Sequence, residues 1–217
     1  MTVAGQGQGQ GQGAGEAGLT AAERSLRKAV MVVAILNLAY AVVEFTMSRL
    51  IGSVSLAADS IDFVEDGLLN ILIFFAVAWT LHRRARIGHA LALIILVPAA
   101  ATLVTAVLKV LDPSRPAIIP LSLTATGALL VNLTCAAILV THRKMGGSLA
   151  SAAWLSARND AFANLAILAA AAVAIGWDSG WPDIIVGLGI AAINADAGRK
   201  VWLAASRERL ESKAAQA

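Results

Sequence analysis

Charge is what this chain has least of. Of its 217 residues only 14% are Asp, Glu, Lys or Arg, against roughly 25% in soluble proteins. So little charge excludes an ordinary soluble surface. Cysteine is scarcer still. Cys135 stands alone, which excludes a disulfide framework within one chain and leaves it as a small apolar packing residue. The three histidines, His82, His89 and His142, fall at the ends of apolar segments. No Ser/His/Asp set therefore shares one depth, and neither HExxH nor a phosphate loop occurs, so nothing points to an enzyme. Ten-residue stretches of alternating hydrophobicity are missing, which excludes a membrane β-barrel. The net charge is only +3. Its basic residues cap apolar segments instead of forming a patch, so nucleic acid is not an expected partner.

What the chain has is apolar length. It is 58% hydrophobic, with a mean hydropathy of +0.74, and reads as an integral membrane protein. Six apolar segments are expected, at about 29–49, 53–80, 88–110, 117–141, 150–176 and 182–204. Each reaches about 20 residues, enough to cross a hydrocarbon core of about 30 Å. The fold class is thus an all-α membrane protein with six transmembrane helices. Residues 1–22 form a Gly/Gln-rich tail that cannot bury a core. Residues 23–206 hold the six helices, and 207–217 form a short tail, with no room for a soluble domain after the sixth segment. Thirteen Lys and Arg lie before segment one, after segments two and four and after segment six, whereas Arg49, Lys109 and Arg115 lie on the other side. That asymmetry predicts both termini in the cytoplasm and a multi-pass protein of the inner cell membrane. Trp79, Trp154, Trp177, Trp181 and Trp202 fall near segment ends, as in an interfacial aromatic belt.

Against this background four acids stand out. Asp59, Asp62, Glu65 and Asp66 occur in the run Ala57-Ala-Asp-Ser-Ile-Asp-Phe-Val-Glu-Asp-Gly67. A carboxylate at mid-membrane depth costs roughly 2.5–3.5 kcal/mol. Such a cluster persists where it lines a wet cavity, finds partners or binds a cation. On a helix, Asp62 and Asp66 differ by about 40° and share a face, with Asn70 one turn further on. Asp59 and Glu65 lie about 60° to either side and border that face. Segment five carries an answering group in Trp154-Leu-Ser-Ala-Arg-Asn-Asp160-Ala-Phe-Ala-Asn164. Ser156 and Asn164 share the face of Asp160. Three converging carboxylates repel unless a cation or protons neutralise them. Ligating carboxylates must be deprotonated, so metal and protons compete for them.

The competing readings are structural. Asp62, Asp66 and Asp160 fit a polar network between helices, and Ser156 fits close helix packing. Glu44, isolated in segment one, fits a hydrogen-bonding role or a secondary proton or metal group. Asn37 and Asn132 fit interhelical hydrogen bonds. Arg158 is expected to snorkel to the interface or to pair with an acid. Asp183, after Pro182, fits the start of the last helix, where its charge complements the dipole.

The run Gly52-Ser-Val-Ser-Leu-Ala-Ala-Asp-Ser-Ile-Asp-Phe-Val-Glu-Asp66 resembles the second-helix signature of cation diffusion facilitators, the cation efflux family. That family has Ala-Asp, then His or Asp, then Asp four residues later. Asp62 and Asp66 fall on the last two positions. Asp160 and Asn164, followed by Trp181-Pro-Asp183, are similar to the family's fifth-helix motif and the Asp before its sixth helix. The resemblance spans residues about 25–210. It implies a homodimeric exporter of divalent metal driven by proton antiport, usually of Zn²⁺. It also implies a tetrahedral site whose counterparts here are Asp62, Asp66, Ser156 and Asp160, with Asp59, Glu65, Asn70, Asn164 and Glu44 supporting. The chain departs from the family in having Ser156 where His or Asp is usual and no His at the site. Oxygen-only donors suit Mn²⁺ as well as Zn²⁺, and Fe²⁺, Cd²⁺ and Co²⁺ are further expected substrates. The alternatives are a Mn²⁺ or Fe²⁺ exporter, or a non-transporting metal-binding membrane subunit.

Overall fold

A computed structural model describes residues 21–76, 93, 96–97, 100–142 and 147–214. The expectations for residues 1–20 of the N-terminal tail, for Arg83, Arg84, Arg86, Arg143 and Lys144, for Trp79 and for His82 and His89 lie outside the described residues, whereas Ala21 and Ala22, expected in the tail, begin the first helix. Within them the secondary structure is all helix: α1 (Ala21–Ile51), α2 (Val54–Ala76), α4 (Ile118–Val140), α5 (Gly147–Gly176) and α6 (Trp181–Ala214), with α3 (Ala100–Leu111) between α2 and α4. The centres of expected segments one, two, four, five and six fall within α1, α2, α4, α5 and α6, and the described C-terminal part of segment three is α3. The ends differ most at α1 and α6, which run past the apolar stretch into charged sequence.

Three stretches are long and apolar enough to cross a membrane by length and composition: Arg24–Ile51, Ile118–Val140 and Ala153–Gly176. The 23-residue α2 falls outside that set because its four acids interrupt the apolar run. The large side chains on the outer surface are apolar, as with Val42 at 66% and Ile119 at 74% exposure. Charged groups gather at the ends and in the interior, the inverse of a water-soluble bundle.

Packing sets the site. α1 lies on α2 and α4, α4 on α5, and α5 on α2, which closes a four-helix ring, with α6 against the outside of α2 and α5. Alanines such as Ala58, Ala125, Ala128, Ala153 and Ala157 are fully or almost fully buried. Small residues let helix backbones approach where lipid removes the hydrophobic drive between helices. Gly187 shows this most directly. A Cβ there would lie 2.7 Å from the Ser55 nitrogen and the Val54 carbonyl carbon, so α6 crosses directly over the start of α2.

The α1–α2 turn is tightly specified. Gly52 takes a positive φ of 65°, and the Ser53 amide donates to Ser48 O at 3.1 Å. This is the six-to-one bond of a Schellman cap, which needs a residue tolerant of left-handed backbone. The N-terminus of α2 is then capped from another helix. Val54 N and Ser55 N donate to the Asp183 carboxylate at 2.8 and 3.2 Å, and the hydroxyls of Ser53 and Ser55 donate to it at 2.6 and 2.5 Å. Lys109 of α3 pairs with Asp183 at 3.4 Å and donates to Gly52 O. Asp183 does stand in the first turn of α6, but its hydrogen bonds serve α2. That role was out of reach of sequence spacing, because the partners are about 130 residues apart.

Candidate metal site

The polar residues of α2 and α5 form a layer between two apolar clusters. Toward the α1–α2 turn, Leu56, Leu121, Ile167 and Ile190 close the bundle. At the other end Val30, Ile73, Cys135 and Leu139 do so. Cys135 is fully buried there, its thiol 3.7 Å from the Asn37 side-chain oxygen, in keeping with a packing role.

Asp66 is the best-defined member of the layer. It is 4% exposed and accepts a hydrogen bond from Ser156 Oγ at 2.8 Å. Asp160 of α5 lies within hydrogen-bonding reach of the same carboxylate. One carboxylate from α2 and one carboxylate with one hydroxyl from α5 therefore meet across the helix pair. Asp62, half-buried one turn away, turns instead toward Asn194 on α6. Asn194 also donates to Ala58 O at 3.0 Å. Asp62 nevertheless stays within electrostatic range of Asp66 and Asp160. Among the described residues no group of three or more His, Cys, Asp and Glu is spaced to hold a metal ion.

The supporting residues sort by helix face. Asn70 Nδ2 donates to Asp66 O at 2.8 Å and Asn164 Nδ2 to Asp160 O at 2.9 Å. Both amide oxygens are buried without a hydrogen-bond partner. Glu65 is half-buried beside Asp66. Asp59 points to Glu44 of α1. Arg158 is exposed, with its guanidinium 5.4 Å from the Trp154 ring centroid. It stacks there without an acid partner among the described contacts.

The residue that spacing did not single out is Asn194. A signal for it existed, since it is the one polar side chain in the run Ile190-Ala-Ala-Ile-Asn194-Ala. Its significance depends on α6 lying against α2, which periodicity does not reveal.

Comparison with known families decides what this arrangement belongs to. Residues 30–207 match the Cation efflux transmembrane domain. The chain is a member of the cation efflux family. A search of curated proteins found no matching relative. The match begins within α1, ends within α6 and takes in every site residue discussed above. Cation efflux proteins are transporters of metal cations rather than enzymes. With its apolar helices, this member is a multi-pass membrane protein whose substrate is a metal cation.

Proposed function

We propose that the protein exports divalent metal ions from the cytoplasm in exchange for protons, Zn²⁺ first among them. In this reading it has six spans and cytoplasmic termini, and works as a homodimer in the inner membrane. The observation that carries the reading is the meeting of Asp66 on α2 with Ser156 and Asp160 on α5. Two carboxylates on separate helices make a site whose geometry follows the angle between those helices. Rocking α2 against α5 then opens and closes the coordination.

Asp62 completes the set by exchanging Asn194 for the ion. This exchange ties α6 to occupancy, because Asn194 is bonded to the α2 backbone at Ala58. Release follows from the donor chemistry. Carboxylates bind metal only when deprotonated, so protons arriving from the outer side displace the ion. The oxygen-only donors favour a second reading, export of Mn²⁺ or Fe²⁺, since hard oxygen ligands suit Mn²⁺ and lack the imidazole bias toward Zn²⁺.

Flux into proteoliposomes tests the proposal. Zn²⁺ or Mn²⁺ uptake should depend on an imposed pH gradient and should be lost in Asp66→Asn, which removes a carboxylate that must be deprotonated to bind metal. A wild-type protein that moves neither ion, nor Fe²⁺, Cd²⁺ or Co²⁺, under that gradient would sink it in favour of a non-transporting metal-binding subunit.

A further inference from the structure

A cavity of about 670 Å³ lies between α1, α2 and α3, away from the metal layer. Its size is that of a ligand site, about 300–1,000 Å³. One wall is a stripe on α1. Leu38, Val42, Phe45 and Arg49 line it and fall within about 60° of one another round the helix. Val42 and Phe45 are 66% and 58% exposed, so this wall opens to the lipid-facing exterior. Ile61 and Val64 of α2 form the floor. Two hydroxyls along the walls are already spent on their own helices: Ser60 Oγ donates to Ala57 O at 2.8 Å and Thr105 Oγ1 to Ala101 O at 2.9 Å. Such walls suit hydrocarbon.

Arg49 gives the cavity a direction. It stands in the last turn of α1, is exposed, and is the one charged side chain among the described residues that line the cavity. The other two cations expected on that side of the membrane are committed, Lys109 to Asp183 at 3.4 Å and Arg115 to Asp178 at 3.1 Å. Among the described residues no acid pairs with Arg49. From Leu38 to Arg49 the stripe rises roughly 16 Å at 1.5 Å per residue, half of a hydrocarbon core of about 30 Å. The result is an apolar trough one leaflet deep, with a guanidinium at its membrane-surface end.

We infer that this trough binds one phospholipid of net negative charge, its acyl chain along α1 and its phosphate on the Arg49 guanidinium. Arginine grips phosphate through a fork of N–H donors. No acid among the described lining residues holds an ammonium group, so a net-negative headgroup is favoured over a zwitterionic one. The position bears on α2. Val64 lies about 160° round that helix from Asp66, which puts lipid and metal layer on opposite faces of one helix. A seated acyl chain backs α2 where it rocks against α5. That coupling rests on the transport reading above, whereas the lipid site does not.

Native mass spectrometry of the purified full chain tests the site, with phosphatidylglycerol and phosphatidylcholine of matched acyl chains as probes. Wild type should retain one phosphatidylglycerol per chain, at least about tenfold more tightly than phosphatidylcholine. Arg49→Gln should abolish that preference. Ala101→Trp, which fills the trough from an exposed position on α3, should lower phosphatidylglycerol retention with Arg49 in place. Arg115→Gln should change neither. Equal retention of the two lipids, unmoved by Arg49→Gln, is a lipid annulus only and overturns the inference. A preference lost equally in Arg115→Gln is a general surface-charge effect and overturns it too. Copies that cross-link through Ala101→Cys, with no lipid retained, overturn it in favour of a second copy of the chain. In proteoliposomes, metal flux should follow phosphatidylglycerol content in wild type and not in Arg49→Gln. Flux that follows it equally in both overturns the coupling alone. Absent flux with lipid binding intact overturns the transport reading alone.

Discussion

Ser156 is where the chemistry of this cation efflux protein is most open to change. Its hydroxyl donates to Asp66 at 2.8 Å, so the side chain now positions a carboxylate. A hydrogen bond to a charged group is worth about 1.5–3 kcal/mol. Ser156→Ala should therefore weaken metal binding by about tenfold or more without abolishing transport, read as a higher KM for flux at little-changed maximal rate. Ser156→His should act differently. An imidazole beside Asp66 and Asp160 should raise the preference for Zn²⁺ over Mn²⁺ by about tenfold or more, read by competition of the two ions for uptake. An unchanged preference would place position 156 outside the coordination sphere. Asn194 offers a third test at this scale. Asn194→Leu frees Asp62 from α6 and should tighten equilibrium binding while slowing turnover, because the holding partner of the unloaded carboxylate is gone.

At the level of the helix, the Asp183 cap joins three elements. It satisfies two amides of α2 and two hydroxyls, and it holds Lys109 of α3 in a pair whose side chains are 10% and 4% exposed. Removing one partner of a buried pair costs about 3–5 kcal/mol. Asp183→Ala should lower the midpoint of thermal unfolding in detergent markedly, and Asp183→Asn, which keeps an acceptor, less so. Gly187 is the packing counterpart. Its Cβ position is 2.7 Å from the α2 backbone, so Gly187→Leu has to push α6 away from α2. The expected cost is about 1–3 kcal/mol or more, and the shift should reach Asp62 through Asn194. Equal stability in Gly187→Leu would mean that α6 does not seat on α2 as described.

Over the whole molecule, the organising fact is an apolar exterior around a polar layer. The ring of α1, α2, α4 and α5 has apolar clusters at both ends and carboxylates, amides and a hydroxyl between them. The asymmetry of Lys and Arg predicts which end faces the cytoplasm. In a Cys135→Ala background, Ser179→Cys should react with a membrane-impermeant maleimide in intact cells, and Ser206→Cys only after permeabilisation. The reverse pattern would invert the topology and turn the exporter reading into an importer.

Much of this was legible in the amino-acid sequence. Helix positions follow from apolar length, since in lipid a backbone must satisfy its own hydrogen bonds and only helices of about 20 residues do so. The face shared by Asp62 and Asp66 follows from helical period, and Ser156, Asp160 and Asn164 align by the same arithmetic. Tertiary structure alone decided which of these side chains meet. It set Asp66 against Ser156 and Asp160, turned Asp62 to Asn194, paired Asp59 with Glu44 and sent Asp183 to cap a helix far away in the chain. The reason is physical: periodicity is a property of one helix, whereas each of these contacts depends on the register and separation of two, set by small residues such as Gly187 whose importance appears only once the backbones are side by side.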